Sequence, residues 1–215
     1  TPIVEGYGLT ESSPVLTFNL LTGLAKDGTI GIPVPSTEVK CVDENGNEVT
    51  IGESGEIIAR GPQIMQGYWQ KPEETAKTLK NGWLHTGDIA QMDADGYFTI
   101  VDRLKDMILV NGFNVYPNEI EEEIAAVPGV LEVGVIGVPD DKTGERVQAY
   151  VKAAIPAPSA DEIIAHCRTK MTAYKIPKEI IFVDELPKSP IGKILRRTLR
   201  DQAIGASKNT ASKGA

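Results

Sequence analysis

Hydrophobic and polar positions change their pattern about halfway along the chain. In residues 1–102, short apolar stretches such as 37–43, 55–60 and 97–101 are separated by turn signals rich in Gly, Asn and Asp. This spacing predicts short strands that form a small sheet or barrel. Pro72, followed by two glutamates, indicates the start of one short helix.

The second half of the chain alternates between strand-like and helix-like stretches. Ile120, Ile124 and Val127 recur at helical spacing behind Pro117. The predicted elements are a helix after Pro117, strands at 131–138 and 147–151, a helix with an apolar stripe at Ile163, Ile164, Cys167 and Met171, a strand at 180–183, and a basic helix from about Ile194. We predict an α+β protein, in which a small β-barrel-like subdomain precedes a compact mixed three-stranded sheet with helices.

Composition is that of an ordinary globular protein. The chain has 215 residues, of which 41% are hydrophobic and 24% charged, enough to bury a core without disulfides or metal. It contains neither an apolar run near the roughly 20 residues of a membrane span nor a signal peptide pattern. Because it starts at Thr1 and not at Met, we expect a fragment of a longer protein.

Charge argues against a nucleic-acid partner. The net charge is -8, and the acidic excess lies in the first hundred residues, whereas nucleic-acid affinity comes mainly from basic residues that neutralise phosphates. One local exception is the stretch 186–200, which has five basic and no acidic residues. It predicts either a local anion site or the charged face of a terminal helix.

Cysteine and histidine are scarce. Cys41 and Cys167 are isolated, which indicates reduced, buried thiols of a cytosolic protein. The only histidines are His85 and His166, which excludes a His-based metal cluster and argues against a Ser-His-Asp triad.

Four short motifs could carry chemistry, and each also has a plain structural interpretation. They are GYGLTE at 6–11, WLHTGD at 83–88, DRLKD at 102–106 and LPKSPIGK at 186–193. Taken singly, the first could be a turn between strands, and the second an Asp that caps a turn. The third could be a solvated strand edge or an interdomain hinge, and the fourth could simply contain a surface lysine.

In this order and at these separations, the four motifs resemble the adenylate-forming superfamily, which comprises acyl-CoA synthetases, luciferase-like enzymes and non-ribosomal adenylation domains. The resemblance covers residues 3–204 and is strongest to bacterial long-chain fatty acid–CoA ligases at 102–121 and 185–197. It implies that 1–102 is the end of a large nucleotide-binding domain and 103–204 a mobile C-terminal lid domain. We expect a disordered tail at 205–215.

The resemblance also implies roles for the residues of the first half. The residues expected to contact ATP are Tyr7, which would pack on adenine, Gly8 beside it, Thr10 at the α-phosphate, Glu11 on Mg²⁺, Asp88 on the ribose hydroxyls, and Arg103, which would assist Asp88. Thr10 and Glu11 would also take part in catalysis.

Three further residues receive roles in the second half or at its start. Lys105 would be the hinge, Gly112 would lie in the loop that reaches the active site during thioester formation, and Lys193 would be the catalytic lysine of adenylation. A carboxylate that attacks ATP brings two anions together. At an effective dielectric near 20, a cation about 4 Å from an anion contributes roughly 4 kcal/mol, or about three powers of ten in rate.

The implied activity is that of an ATP-dependent fatty acid–CoA ligase: fatty acid, Mg·ATP and CoA give acyl-CoA through acyl-AMP. The phosphate loop and most of the acyl pocket of the family are absent, so we expect the chain alone to be inactive. Luciferases have a lysine where this chain has Leu109, which argues against light-producing oxidation. We expect a cytoplasmic protein; peripheral contact with the inner membrane and a homodimer formed through the missing part are left open.

Two alternatives to CoA ligation stay open. One is an acyl-AMP ligase that delivers the acyl group to a carrier protein, and the other is a non-catalytic nucleotide-binding module.

Overall fold

The computed structural model describes residues 3–23 and 25–211, with side chains to residue 205. The chain divides into two compact units, unit 1 up to Lys105 and unit 2 from Asp106. This division lies three residues after the boundary predicted at 102/103.

Unit 1 consists mainly of strands. Its elements are β1 (Gly6–Gly8), β2 (Val15–Phe18), β3 (Ile32–Pro33), β4 (Glu38–Val42), β5 (Ser54–Arg60), α1 (Pro72–Thr78), β6 (Leu79–Lys80), β7 (Trp83–Met92) and β8 (Phe98–Arg103), with 3₁₀ turns at Thr10–Ser12 and Leu104–Asp106. The long strand β7 includes the whole WLHTGD motif at 83–88, for which the plain structural interpretation was an Asp that caps a turn.

The strands of unit 1 form two antiparallel sheets. One has the order β1-β2-β3, and in the other β4 pairs with β5, β5 with β7, and β7 with both β6 and β8. A bridge between Gly31 and Phe98 links the two sheets. The mostly β architecture agrees with the sequence analysis, whereas closure into a barrel stays a prediction.

The core of unit 1 lies on the larger sheet. Cys41, Ile57, Ala90 and Phe98 are buried together there. The position of Cys41 confirms the prediction of a buried free thiol, and burial raises its pKa to about 11.

Unit 2 is an α+β unit. Its elements are β9 (Ile108–Val110), β10 (Phe113–Val115), α2 (Pro117–Ala125), β11 (Val130–Asp140), β12 (Gly144–Ala153), α3 (Ala160–Lys170), β13 (Glu179–Phe182) and α4 (Arg196–Ala211). Ile120 and Ile124 of α2 and Ile163 and Cys167 of α3 are fully buried, as their helical spacing predicted.

The sheet of unit 2 has five strands, which corrects the prediction of three. Its order is β10-β9-β12-β11, and β13 pairs with β12 in parallel while the other pairs are antiparallel. The sheet is therefore mixed, as predicted. The missed strands β9 and β10 form a hairpin whose two turn residues, Asn111 and Gly112, have φ of 52° and 81°, the positive values that a type I′ turn requires.

The last helix is longer than expected. Helix α4 continues to Ala211, so residues 205–211, which we predicted to be disordered, are helical, and 212–215 lie outside the described residues. Leu199 and Ala203 pack with Ile136 and Leu186, which gives the helix an apolar face in addition to its basic one. Of the helices in the described part of the chain, none is long and apolar enough to cross a membrane.

Candidate functional site

Three predicted site residues of unit 1 lie together. The Tyr7 hydroxyl on β1 donates a hydrogen bond of 2.6 Å to Asp88 Oδ2 on β7. Arg103 stands opposite Asp88 in the β7–β8 register, with its Nε 3.6 Å from Asp88 Oδ1. Burial, followed by the bond to the Asp88 carboxylate, raises the pKa of Tyr7, so the phenol stays protonated and its hydroxyl donates the hydrogen bond to Asp88.

A bulge in β7 presents Asp88. Strand β5 pairs Glu56 with Ile89 and Ile58 with His85, so the three residues 86–88 face the single residue Ile57. The Thr86 hydroxyl donates to the Ile57 carbonyl at 2.7 Å and also accepts the Asp88 amide at 3.1 Å. Gly87 has a φ of +73°, which a residue with a side chain adopts only at a cost.

Two residues to which the sequence analysis gave no role in the site, Glu56 and His85, support the bulge. Glu56 Oε1 accepts the Gly87 amide at 3.0 Å, and Glu56 Oε2 lies 2.6 Å from His85 Nδ1. Because a carboxylate can only accept, Nδ1 carries the hydrogen of that bond. Both side chains are largely buried, with exposed fractions of 16% and 17%.

Glu11 has a partner that was also missed. The Tyr68 hydroxyl donates to Glu11 Oε1 at 2.7 Å, and this bond raises the pKa of Tyr68. Glu11 Oε2 makes no hydrogen bond with a described residue. Thr10, next to Glu11, is exposed, and its hydroxyl likewise has no partner in the described part of the chain.

Gly8 has a structural reason for its lack of a side chain. A Cβ there would overlap the carbonyl of Pro14, because β1 and β2 approach closely at a bulge after Tyr7. Close approach of the protein's own backbone therefore accounts for this glycine, and a contact between Gly8 and a ligand stays a prediction.

Two adjoining hollows open beside these residues. One has a volume of about 340 Å³ and includes Glu11, Glu56, Tyr68 and His85 in its lining. The other has a volume of about 430 Å³, and its lining consists of Leu9, Thr86, Gly87, Asp88, Arg103, Leu104 and Lys105. The hollows share Leu9, Thr86, Gly87 and Leu104, so the bulge of β7 borders both.

The remaining predicted residues lie at the unit boundary or in unit 2. Lys105 is exposed and is the last residue of unit 1. Gly112 lies at the tip of the β9–β10 hairpin, where a Cβ would meet nothing within 4 Å. Lys193 is exposed, and its ammonium group makes no ion pair with the described side chains.

The loop that carries Lys193 is anchored on both sides. Ser189 Oγ accepts the Lys193 amide at 3.1 Å. Lys188 pairs with Glu132 at 2.6 Å, and Arg196 with Glu121 at 2.6 Å. Since Lys188 and Arg196 are already neutralised, the basic stretch 186–200 offers less positive charge to an anion than the sequence indicated.

In the described residues, no cluster of three or more His, Cys, Asp and Glu side chains could hold a metal ion. Mg²⁺ is commonly held by one or two carboxylates together with substrate phosphates. The uncommitted Oε2 of Glu11 fits that mode of binding.

The chain matches family models in both of its units. Residues 1–69 match the family model of the AMP-binding enzymes, and residues 119–193 match that of the AMP-binding enzyme C-terminal domain. The chain belongs to the AMP-binding enzymes. The first match includes Tyr7 and Glu11, and the second includes Lys193.

Individual AMP-binding enzymes give the scale of the similarity. The chain is 54% identical over 97% of its length to the long-chain-fatty-acid–CoA ligase of Escherichia coli O157:H7, of which it covers 37%. It is 46% identical over 92% of its length to the feruloyl-CoA synthase of an Amycolatopsis species, of which it covers 40%. The ATP-bound structure of MatB from Rhodopseudomonas palustris superimposes with a TM-score of 0.86 at 37% identity, with 94% of this chain and 41% of that one covered.

The chain thus spans well under half the length of the relatives it matches. Its fold is that of the matched portion of the AMP-binding enzymes.

Proposed function

We propose that the chain is part of an ATP-dependent fatty acid–CoA ligase. The protein would join a fatty acid carboxylate to the α-phosphate of ATP, with release of pyrophosphate, and would then transfer the acyl group from acyl-AMP to the thiol of CoA, with release of AMP. The observation that supports this most directly is the sheltered Asp88 carboxylate between Tyr7 and Arg103, in a chain that is 54% identical to long-chain-fatty-acid–CoA ligases.

Unit 1 would bind the nucleotide. Asp88 would accept hydrogen bonds from the ribose hydroxyls, because a carboxylate has several acceptor positions and Tyr7 occupies only one of them. The Tyr7 ring would pack on adenine. Arg103, whose side chain is 58% exposed, would bind the ribose or the nucleotide phosphates beside Asp88.

Glu11 and Thr10 would act at the phosphates. Glu11 Oε2 would hold Mg²⁺, which would neutralise phosphate charge and orient the α-phosphate for attack. The bond from Tyr68 to Glu11 Oε1 would fix the orientation of the carboxylate. The Thr10 hydroxyl, which makes no hydrogen bond with a described residue, would donate to the α-phosphate.

The two chemical steps would use different parts of unit 2. Lys193, an exposed cation that pairs with no carboxylate among the described residues, would neutralise charge as the substrate carboxylate attacks the α-phosphate. Gly112, at the tip of a hairpin with no obstructing side chain, would approach the reacting thioester. Lys105 would be the hinge between the two steps, and the division of the chain directly after it supports that role.

Substrate class follows from similarity and not from the geometry. The similarity to a feruloyl-CoA synthase shows that this portion is shared with enzymes named for a different acid, so the fatty acid assignment rests on the higher identity to the long-chain ligases. A carrier-protein thiol as acceptor, and a non-catalytic nucleotide-binding module, are the alternatives. We also place the protein in the cytoplasm; inner-membrane contact and a homodimer stay predictions.

The test uses the whole protein to which this chain belongs. It is incubated with Mg·ATP and carboxylic acids of short, medium and long chain, with and without CoA, and the AMP-containing and CoA-containing products are identified by mass spectrometry. We expect acyl-CoA and AMP from the longer acids. Acyl-AMP that accumulates despite CoA would favour the carrier-protein acceptor, and no AMP from any acid would favour the non-catalytic module.

A further inference from the structure

The bulge of β7 needs support that its own strand does not supply. Where residues 86–88 face only Ile57, the regular ladder between β5 and β7 is interrupted, and the amide groups of the bulge need other acceptors. Thr86 supplies one of them for the Asp88 amide. The acceptor for the amide of Gly87, the residue directly before Asp88, is the carboxylate of Glu56.

Glu56 is itself held in place. Its second oxygen lies 2.6 Å from His85 Nδ1, so the two carboxylate oxygens contact β7 on either side of Thr86. A carboxylate with both oxygens engaged has little freedom to rotate, and its 16% exposure limits competition from water. Glu56 thereby links the Gly87 amide to the His85 side chain, and so helps to fix the bulge from which the Asp88 side chain projects.

On this basis we propose that Glu56, held by His85, is a positioning residue that aims the Asp88 carboxylate at the ribose of the nucleotide. In this role Glu56 acts on Asp88 through the Gly87 amide and the bulge, and not through a contact of its own with the ribose. The inference rests on the proposed function, since it takes Asp88 as the residue that binds the ribose hydroxyls.

If Glu56 positions Asp88, removal of Glu56 should reduce the selectivity of the site for the ribose hydroxyl. If Asp88 is free to tilt, it binds a ribose hydroxyl less well, and the affinity for ATP falls. The affinity for a nucleotide that lacks this hydroxyl changes little, because that nucleotide never made the bond. The measured quantity is the ratio of kcat/KM for ATP to kcat/KM for 2′-deoxyATP or 3′-deoxyATP, whichever analogue the wild-type whole protein discriminates against more strongly. A hydrogen bond to a charged group corresponds to roughly tenfold or more, so we expect Glu56→Ala to lower this ratio about tenfold.

Three further single variants and one double variant complete the experiment. Glu56→Gln keeps an oxygen that can accept the Gly87 amide, so it should retain most of the ratio. Glu38→Gln, an exposed glutamate on the neighbouring strand β4, is the matched control and should leave the ratio unchanged. Asp88→Ala should lower the ratio, and adding Glu56→Ala to it should lower the ratio no further, because Glu56 acts only through Asp88.

The outcomes separate this inference from the proposed function. If Glu56→Ala lowers kcat/KM equally for ATP and the deoxy analogue, Glu56 has only a structural role and the inference is wrong. A further fall in the ratio when both substitutions are combined would overturn it as well. If Glu56→Ala does not fold, Glu56→Asp replaces it as the test variant. This substitution withdraws the carboxylate from the Gly87 amide by one methylene, and the same ratio is measured. A wild-type protein that forms no acyl-AMP from any acid would instead reject the proposed function.

Discussion

The hydrogen bond between Tyr7 and Asp88 allows a quantitative test of how the site is held together. Tyr7→Phe removes the hydroxyl that donates to Asp88 Oδ2 at 2.6 Å and keeps the aromatic ring. Hydrogen bonds to charged groups contribute about 1.5–3 kcal/mol to stability. Because Asp88 keeps 15% of its side-chain surface exposed, water can partly replace the lost donor. We therefore expect the lower part of that range, a loss of about 1.5–2 kcal/mol.

The tryptophans provide an assay specific to unit 1. The chain has two tryptophans, Trp69 and Trp83, and both lie in unit 1. Their fluorescence in urea therefore follows the unfolding of that unit. With a slope of about 1–3 kcal/mol per molar urea, the expected loss lowers the midpoint by roughly 1 M, without a change in slope.

Tyr150→Phe is the matched control. Tyr150 is buried in unit 2, and its hydroxyl makes no hydrogen bond with a described residue, so its removal should leave the tryptophan transition where it is. If Tyr7→Phe lowers the free energy of unfolding by less than about 0.5 kcal/mol, the bond to Asp88 does not stabilise unit 1 and our account of the site is wrong.

Three other predictions test separate features. Lys193→Ala in the whole protein should reduce acyl-AMP formation by about a thousandfold but leave thioester formation from supplied acyl-AMP nearly intact; equal losses in both half-reactions would contradict its role. The pKa values of Cys41 and Tyr7 are raised in the folded chain, so the unfolded chain loses these two protons at a lower pH than the folded chain does. The stability of unit 1 should therefore fall as pH rises from about 9 to 11, measured as the urea midpoint at each pH; a constant midpoint would contradict this. Ser159→Ala removes the cap that accepts the Glu162 amide and should destabilise α3 by about 1 kcal/mol, measured by hydrogen exchange of its first amides; unchanged exchange would show that the cap contributes nothing.

Elements with strong local signals were predictable from the sequence. Helix α2 follows from Pro117 at its first position and from the apolar spacing of Ile120 and Ile124, and the structure confirms both. The hairpin of β9 and β10 was missed although Asn111–Gly112 is a strong hairpin signal, because its strands are only three residues long and lie next to charged residues. Helix α4 was cut short because its last turns, from Gly205 on, have a polar composition that is equally typical of a disordered tail.

The site residues also differ in how far the sequence could predict them: some lie in recognisable short motifs, and others are brought to the site only by the fold. Asp88 and Arg103 stand out within motifs, and their pairing needs only that β7 and β8 be neighbours. Glu56 was not predictable, because nothing in a sequence indicates that β7 bulges opposite Ile57. Only that bulge exposes an amide that can donate a hydrogen bond to a carboxylate on β5. The bond between Tyr68 and Glu11 spans 57 positions and has no local signal either.

The residues around Asp88 differ in their exposure and in the lengths of their bonds, and these differences distinguish a structural role from a role in ligand binding. Tyr7 and Glu56 are largely sheltered and make short bonds, which suits groups that hold the carboxylate and the strand behind it. Arg103 is 58% exposed and stays 3.6 Å from Asp88, and a pair of this kind contributes little to stability in water. The guanidinium is therefore only weakly bound to Asp88, and most of its N–H groups donate no hydrogen bond to a described residue. An arginine in that state can bind an anionic nucleotide without first breaking a strong internal bond, and this is why we propose that Arg103 binds the ligand and that Tyr7 and Glu56 support Asp88.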